Sequence, residues 1–172
     1  MRRPVAVRVV GPTQWIVWPA LIAVVATVVL ATPVKLFGLT LPEPVIPMLL
    51  AFAWPLVRPS AVAPLVLLAL GLFLDVFWGG QMGLWALALL AIYAVVLAAR
   101  SILLGQETVV LFVWYAGSVA LAFALAYVIR ALSVGNAPSL LALIGQVVPT
   151  LLLFPFANAM IDRFDDGDVR FR

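Results

Sequence analysis

Apolar residues run through this chain in six long blocks, and the short joints between them and the two terminal segments hold all of its charge except Asp75. The blocks cover residues 15–34, 44–57, 60–78, 83–99, 108–129 and 138–161. Within a block there is little alternation of polar and apolar positions, so each predicts a helix that is apolar all round, the pattern of a buried or membrane-spanning element. The first block, Trp15 to Val34, is long enough to cross roughly 30 Å of hydrocarbon at about 1.5 Å per residue. Five further blocks follow it, which argues against a cleaved secretory leader despite Arg2, Arg3 and Arg8 ahead of it. The second block is short and contains Pro55, and Pro42, Pro44 and Pro47 make a stiff, irregular lead into it. Ser60 offers an N-cap for the third. Pro149 and Pro155 interrupt the sixth, where a kink near Gln146 and Asn158 is expected.

Composition turns this pattern into a class. With 66% hydrophobic and 10% charged residues, a water-soluble fold of 172 residues would have nowhere to place its apolar surface. The sequence therefore predicts an all-α integral membrane protein with six transmembrane helices in one polytopic domain, residues 1–172. The absence of Cys and His removes thiolate and imidazole metal sites, Ser-His triads and imidazole relays. Asp162, Asp166 and Gly167 imitate part of a calcium loop, but Phe164 stands at its middle ligand position, so neither metal nor cofactor is expected. A net charge of +3 does not point to nucleic acid, because the basic residues sit at block ends, where they set topology.

Charge also decides whether the short second block crosses. With six crossings, Arg2, Arg3, Arg8, Arg58, Arg100, Arg163, Arg170 and Arg172 fall on the cytoplasmic side and only Lys35 and Arg130 fall outside. Dropping the second block leaves six basic residues outside and breaks the positive-inside rule. Six spans with both termini cytoplasmic follow. Trp15 and Trp18 fit an interfacial anchor. Two sets of small residues, Ala91, Ala94 and Ala98 in the fourth block and Ala116, Ala120 and Ala124 beside Gly117 and Ser118 in the fifth, have the spacing of close-packing seams.

Candidate chemistry is concentrated in the third block and the turn after it, Pro64 to Gly83. Asp75 is the one carboxylate inside a membrane-length run, and such residues are costly enough to be functional candidates. Gly71 lies one turn before it on the same face, and Gly79, Gly80 and Gly83 mark the exit from the helix and the turn into the next. Counted from Ser60, Asp75 lies roughly 22 Å along the helix, about one turn short of the outer interface. Two roles are open to it. Its carboxylate reaches water or a backbone N–H and positions the loop, or it fixes an internal contact or docks a partner. A negative charge near a helix C-terminus is opposed by the helix dipole, so a compensating group is expected. The other polar residues in the blocks, Gln146, Asn158, Ser118, Thr27 and Thr32, include no strong base, and no enzymatic activity is expected. Trp54, Trp78, Trp85 and Trp114 read as interfacial or packing aromatics.

The run from Leu67 to Leu89, LLALGLFLDVFWGGQMGLWALAL, resembles the signature region of the rod-shape-determining protein MreD family: G-x-x-x-D, a glycine-bearing turn, then M-G and an apolar helix. Trp54, Pro55, Arg58 and Pro59 before it, the chain length and the charged tail are similar too. The resemblance implies a non-enzymatic subunit of the bacterial cell-elongation machinery, multi-pass in the inner membrane, that binds MreC and organises peptidoglycan synthesis. Its implied partners are MreC, the MreB filament, the elongation transpeptidase, the shape-type glycosyltransferase and membrane lipid. It also implies an architecture similar to the six-helix substrate-binding subunits of energy-coupling-factor transporters. That likeness keeps a vitamin-like small-molecule binding subunit as the alternative. Gly71, Asp75, Gly80 and Gly83 are the positions that match the family pattern, and the resemblance supplies no catalytic residue.

Overall fold

The computed structural model describes the backbone of residues 8–11, 13–31, 35–36, 39–40, 42–134, 140–165 and 169–171, and the side chains of 11, 14–31, 42–132 and 145–164. Within these bounds the chain is a helical bundle. A π turn, Thr13–Val17, leads into α1 (Trp18–Leu30), followed by α2 (Pro47–Val57), α3 (Val62–Phe77), α4 (Leu84–Leu103), α5 (Thr108–Val134), α6 (Leu140–Leu151) and α7 (Phe154–Asp165). Two minimal ladders accompany them. β1 (Arg8–Val10) pairs in parallel with β4 (Val169–Phe171), and β2 (Lys35–Leu36) pairs antiparallel with β3 (Leu39–Thr40). The first brings the two terminal segments of the chain together.

Among the described residues, three helical stretches are long and apolar enough to cross a membrane: Leu84–Leu103, Thr108–Leu132 and Gly145–Phe164. The apolar helices Gln14–Leu30, Pro47–Val57 and Val62–Phe77 are shorter. Several boundaries differ from those read in the sequence. The fourth helix runs past Arg100 to Leu103, and the fifth runs past Arg130 to Val134, because neither arginine breaks helical geometry at a membrane edge. The sixth block is two helices. Pro155 supplies no N–H at the start of α7, and the chain turns at Leu152 and Leu153, where Leu153 N–H bonds back to Thr150 O at 3.2 Å.

α2 is the centre of the packing. Met48 and every residue from Leu50 to Leu56 are buried, and α1, α3, α4 and α7 all pack on it. The second block, shortest in sequence, therefore forms the buried centre of the bundle. At one end Trp78 Nε1 donates to Glu43 Oε2 (2.6 Å), and at the other Arg100 Nε donates to Pro55 O (2.9 Å) and Trp54 Nε1 to Trp15 O (3.0 Å). Pro55 O lies in the last turn of α2, where carbonyls lack intrahelical donors, so Arg100 satisfies a group that would otherwise be stranded. These contacts sort the charges. Arg58 and Arg100 share the end where Trp15 meets Trp54, whereas Arg130 lies at the opposite end, beside Gly80.

Several sequence expectations change at this level. Trp15 is buried and its carbonyl ties down α2, so only Trp18 has the exposure of an interfacial anchor. Most of the small-residue seam positions face outward, with Ala91 and Ala116 half-buried and Ser118 buried. Ala94, Ala98, Ala120, Ala124 and Gly117 are exposed, while α4 and α5 pack through Ala86, Ala88, Ala99, Ser118, Ala122 and Ala126 together with large residues. In a helix that is apolar all round, small residues on either face satisfy the same spacing rule. Ser60 is not the N-cap of the third helix: Ala61 holds that position without a side-chain cap, and Ser60, one residue earlier, accepts Val62 N–H on its Oγ at 3.2 Å. Arg2, Arg3, Thr32, Pro138, Asp166, Gly167 and Arg172 lie outside the described residues, as do the side chains of Arg8, Lys35 and Arg170.

Candidate functional site: a carboxylate that caps the following helix

The turn from α3 into α4 is built by its glycines. α3 ends at Trp78, Gly79 follows at φ +60°, and two bonds close the end: Gly80 N–H to Asp75 O at 2.9 Å and Gly79 N–H to Val76 O at 3.2 Å. This is the Schellman arrangement, which requires a left-handed residue where Gly79 stands. After a short turn, Gly83 starts α4 at φ +90°, a conformation that disfavours side chains with a Cβ. A glycine there has no side chain to cap the helix.

Asp75 supplies the missing cap from the preceding helix. It is 1% exposed, and its Oδ2 accepts Gly83 N–H at 2.8 Å while Oδ1 accepts Trp85 N–H at 2.9 Å. Trp85 is the second residue of α4, whose N–H an ordinary N-cap side chain would take. The dipole conflict noted in the sequence resolves here. The C-terminus of α3 disfavours the charge by some tenths of a kcal/mol, whereas two charge-assisted bonds to the positive end of α4 are each worth about 1.5–3 kcal/mol. The favourable terms win. Arg130 adds a cation over the same turn, with Nη2 3.3 Å from where a Cβ on Gly80 would lie.

Gly71 lets the two helices come close enough for this. A Cβ at Gly71 would lie 2.5 Å from Ala86 N and 2.9 Å from Trp85 C, so the α4 backbone occupies the space of a side chain. The close approach and the cap are one structure, because both fall on the first turn of α4. Beneath it, Trp78 and Trp85 pack edge to face at 5.6 Å, and Trp85 and Phe123 do so at 5.4 Å. Each of the five residues singled out in the sequence thus belongs to this corner. Gly71 sets the approach, Gly79 and Gly80 end α3, Gly83 opens α4, and Asp75 joins the two.

A second polar junction escaped sequence reasoning. Thr150 is fully buried; its Oγ1 accepts Val45 N–H at 3.0 Å and donates to Gln146 O at 2.7 Å, while its carbonyl accepts Tyr115 O–H at 2.9 Å. It binds the lead into α2, α5 and the broken last span at one point. The usable signal was its position directly after Pro149, where a helix with missing donors needs side-chain partners. Glu43, which accepts the Trp78 indole N–H, is likewise unmarked in the sequence.

The rest of the corner offers little free chemistry. A cleft of about 110 Å³ lies between Trp85, Phe123, Arg130 and Gln146. Among the described residues no group of three or more His, Cys, Asp or Glu side chains is placed to hold a metal ion. No protein family, no curated protein and no solved structure matches this chain, so the likeness to the rod-shape family rests on the residues from Leu67 to Leu89 and their flanks.

Proposed function

We propose that this chain is a non-enzymatic, six-span scaffold subunit of the bacterial cell-elongation machinery in the inner membrane. In this reading it binds MreC and helps to organise peptidoglycan synthesis alongside the MreB filament, the elongation transpeptidase and the shape-type glycosyltransferase. The observation that carries the proposal is the state of Asp75. Both of its oxygens are engaged by the backbone of α4 and it is closed to solvent, so it serves to hold a shape. A carboxylate used to move protons or carry cations needs a path to water, and this one is closed to solvent. What Asp75 holds rigid is a glycine-bearing corner at the end opposite Arg58 and Arg100, the end that the positive-inside rule assigns to the outside. A fixed outer corner suits docking to an extracytoplasmic partner.

The vitamin-carrier alternative calls for converging polar groups around a ligand-sized cavity of about 300–1,000 Å³. The cleft at this corner, about 110 Å³, is too small for that, so the corner around Asp75 is not such a site. Affinity purification of the full chain from native membranes tests the scaffold reading. MreC is expected among the recovered proteins. Its absence from an intact, folded preparation, or normal rod shape in cells deleted for the chain, would overturn the proposal.

A further inference from the structure

An open groove of about 640 Å³ lies between α1 and α7, both of which pack on α2. The two walls run in opposite directions. On one, Gln14, Trp18 and Ile22 follow each other at four-residue steps; on the other, Arg163, Met160 and Phe156 lie three and four residues apart, each set forming one helical face. Gln14 and Arg163 therefore meet at the same end of the groove, near the Trp15–Trp54 contact and the end of the bundle that carries Arg100. Away from that end the walls are apolar, and Ile22 and Phe156 are 62% and 67% exposed. The groove is amphipathic along its length, polar at one mouth and apolar in its interior.

Arg163 gives the polar mouth its specificity. It is exposed and has no ion-pair or hydrogen-bond partner among the described residues. Its neighbour Asp162 is engaged elsewhere, accepting Asn158 Nδ2 at 2.8 Å. A planar guanidinium with free donors matches the two oxygens of a phosphodiester, and the Gln14 amide offers further donors beside it. Trp18, 58% exposed, lies one turn further in, where an indole suits the glycerol and carbonyl region of a leaflet. Basic pockets between membrane helices on the cytoplasmic side take anionic headgroups. A partner helix would match the apolar walls equally well, but it would not call for a cation and an amide at the mouth.

We propose that the α1–α7 groove is a binding site for an anionic phospholipid, its phosphate held by Arg163 and Gln14 and one acyl chain lying along Ile22, Met160 and Phe156. This inference depends on the bundle standing in a membrane and is independent of the scaffold reading. The site would anchor α1, of whose residues only Ala20, Ala23 and Thr27 are buried, through lipid.

The full chain, purified in mild detergent and titrated with phosphatidylglycerol or phosphatidylcholine under native mass spectrometry, provides the test. Phosphatidylglycerol is expected to bind at least about tenfold more tightly than phosphatidylcholine. Arg163→Gln is expected to abolish that preference, Arg163→Lys to keep most of it, and Arg130→Gln at the opposite end to leave it unchanged. Ala159→Trp fills the groove without altering charge and should weaken both lipids, which keeps the test decisive if Arg163→Gln fails to fold. Excess inorganic phosphate should not displace the lipid, because it lacks the acyl contact. Equal binding of the two lipids, an Arg163→Gln protein that binds as the unaltered chain does, or a photoreactive group at position 22 that captures polypeptide instead of lipid would each overturn the proposal.

Discussion

Asp75 shows how far a single residue can be read from its surroundings. Its rarity inside an apolar run marks it in the sequence, and Gly71 one turn earlier marks its face. Its partners could not be read, because they are backbone N–H groups, which every residue carries. Replacing Asp75 with Ala strands two such groups under the corner, at about 1–3 kcal/mol each. A clear fall in thermal unfolding temperature in detergent is expected, with Asp75→Asn between the variant and the original because an amide oxygen keeps one acceptor. Thr150→Val belongs to the same class. It leaves Val45 N–H buried without its acceptor, so a loss of about 1–3 kcal/mol is expected, and Thr150→Ser should recover most of it.

At the scale of elements, glycines of identical appearance do opposite things. Gly71 faces the α4 backbone, and even Ala there forces the helices apart, so Gly71→Ala should destabilise by about 1–3 kcal/mol, as overpacking does. Gly117 meets nothing within 4 Å, so Gly117→Ala should be neutral or gain about 0.5–1 kcal/mol from helix propensity. Thermal unfolding of the two variants side by side checks the contrast. The kink in the last span was legible because two prolines mark it. The faces of α4 and α5 were not. Lipid and protein interior are both apolar, so a helix that is apolar all round carries no periodic signal of which side packs.

For the whole molecule, the decisive question is which end faces which compartment. The chain has no Cys, so single cysteines can be introduced without background. Cysteines at Ser60 and Gln106 should react only with a reagent that reaches the cytoplasm, and one at Gln81 should react with an impermeant reagent from outside. Reaction of all three from one side would contradict the six-span topology, as would a reporter after Arg172 that proves periplasmic. The structure bears on this through α2, whose 11 residues and preceding extended segment reach from Glu43 at one end to Pro55 at the other. In the six-span reading, a short helix surrounded by neighbours needs no lipid match of its own, and local thinning or burial absorbs the mismatch.

The sequence by itself determined the helical class, runs long and apolar enough to cross a membrane, the order of the blocks, the glycine turn after α3 and the break in the last block. These follow from composition, run length and backbone chemistry, which are local. Only the tertiary structure decided that Asp75 caps the helix after its own, that Thr150 gathers three segments, and that most of the alanine seam positions face outward. Each depends on where distant backbone groups come to rest. In the turn after α3 both levels meet: local chemistry made Gly79 and Gly83 turn residues, and the packing of Gly71 on Ala86 brought the first turn of α4 within reach of the carboxylate.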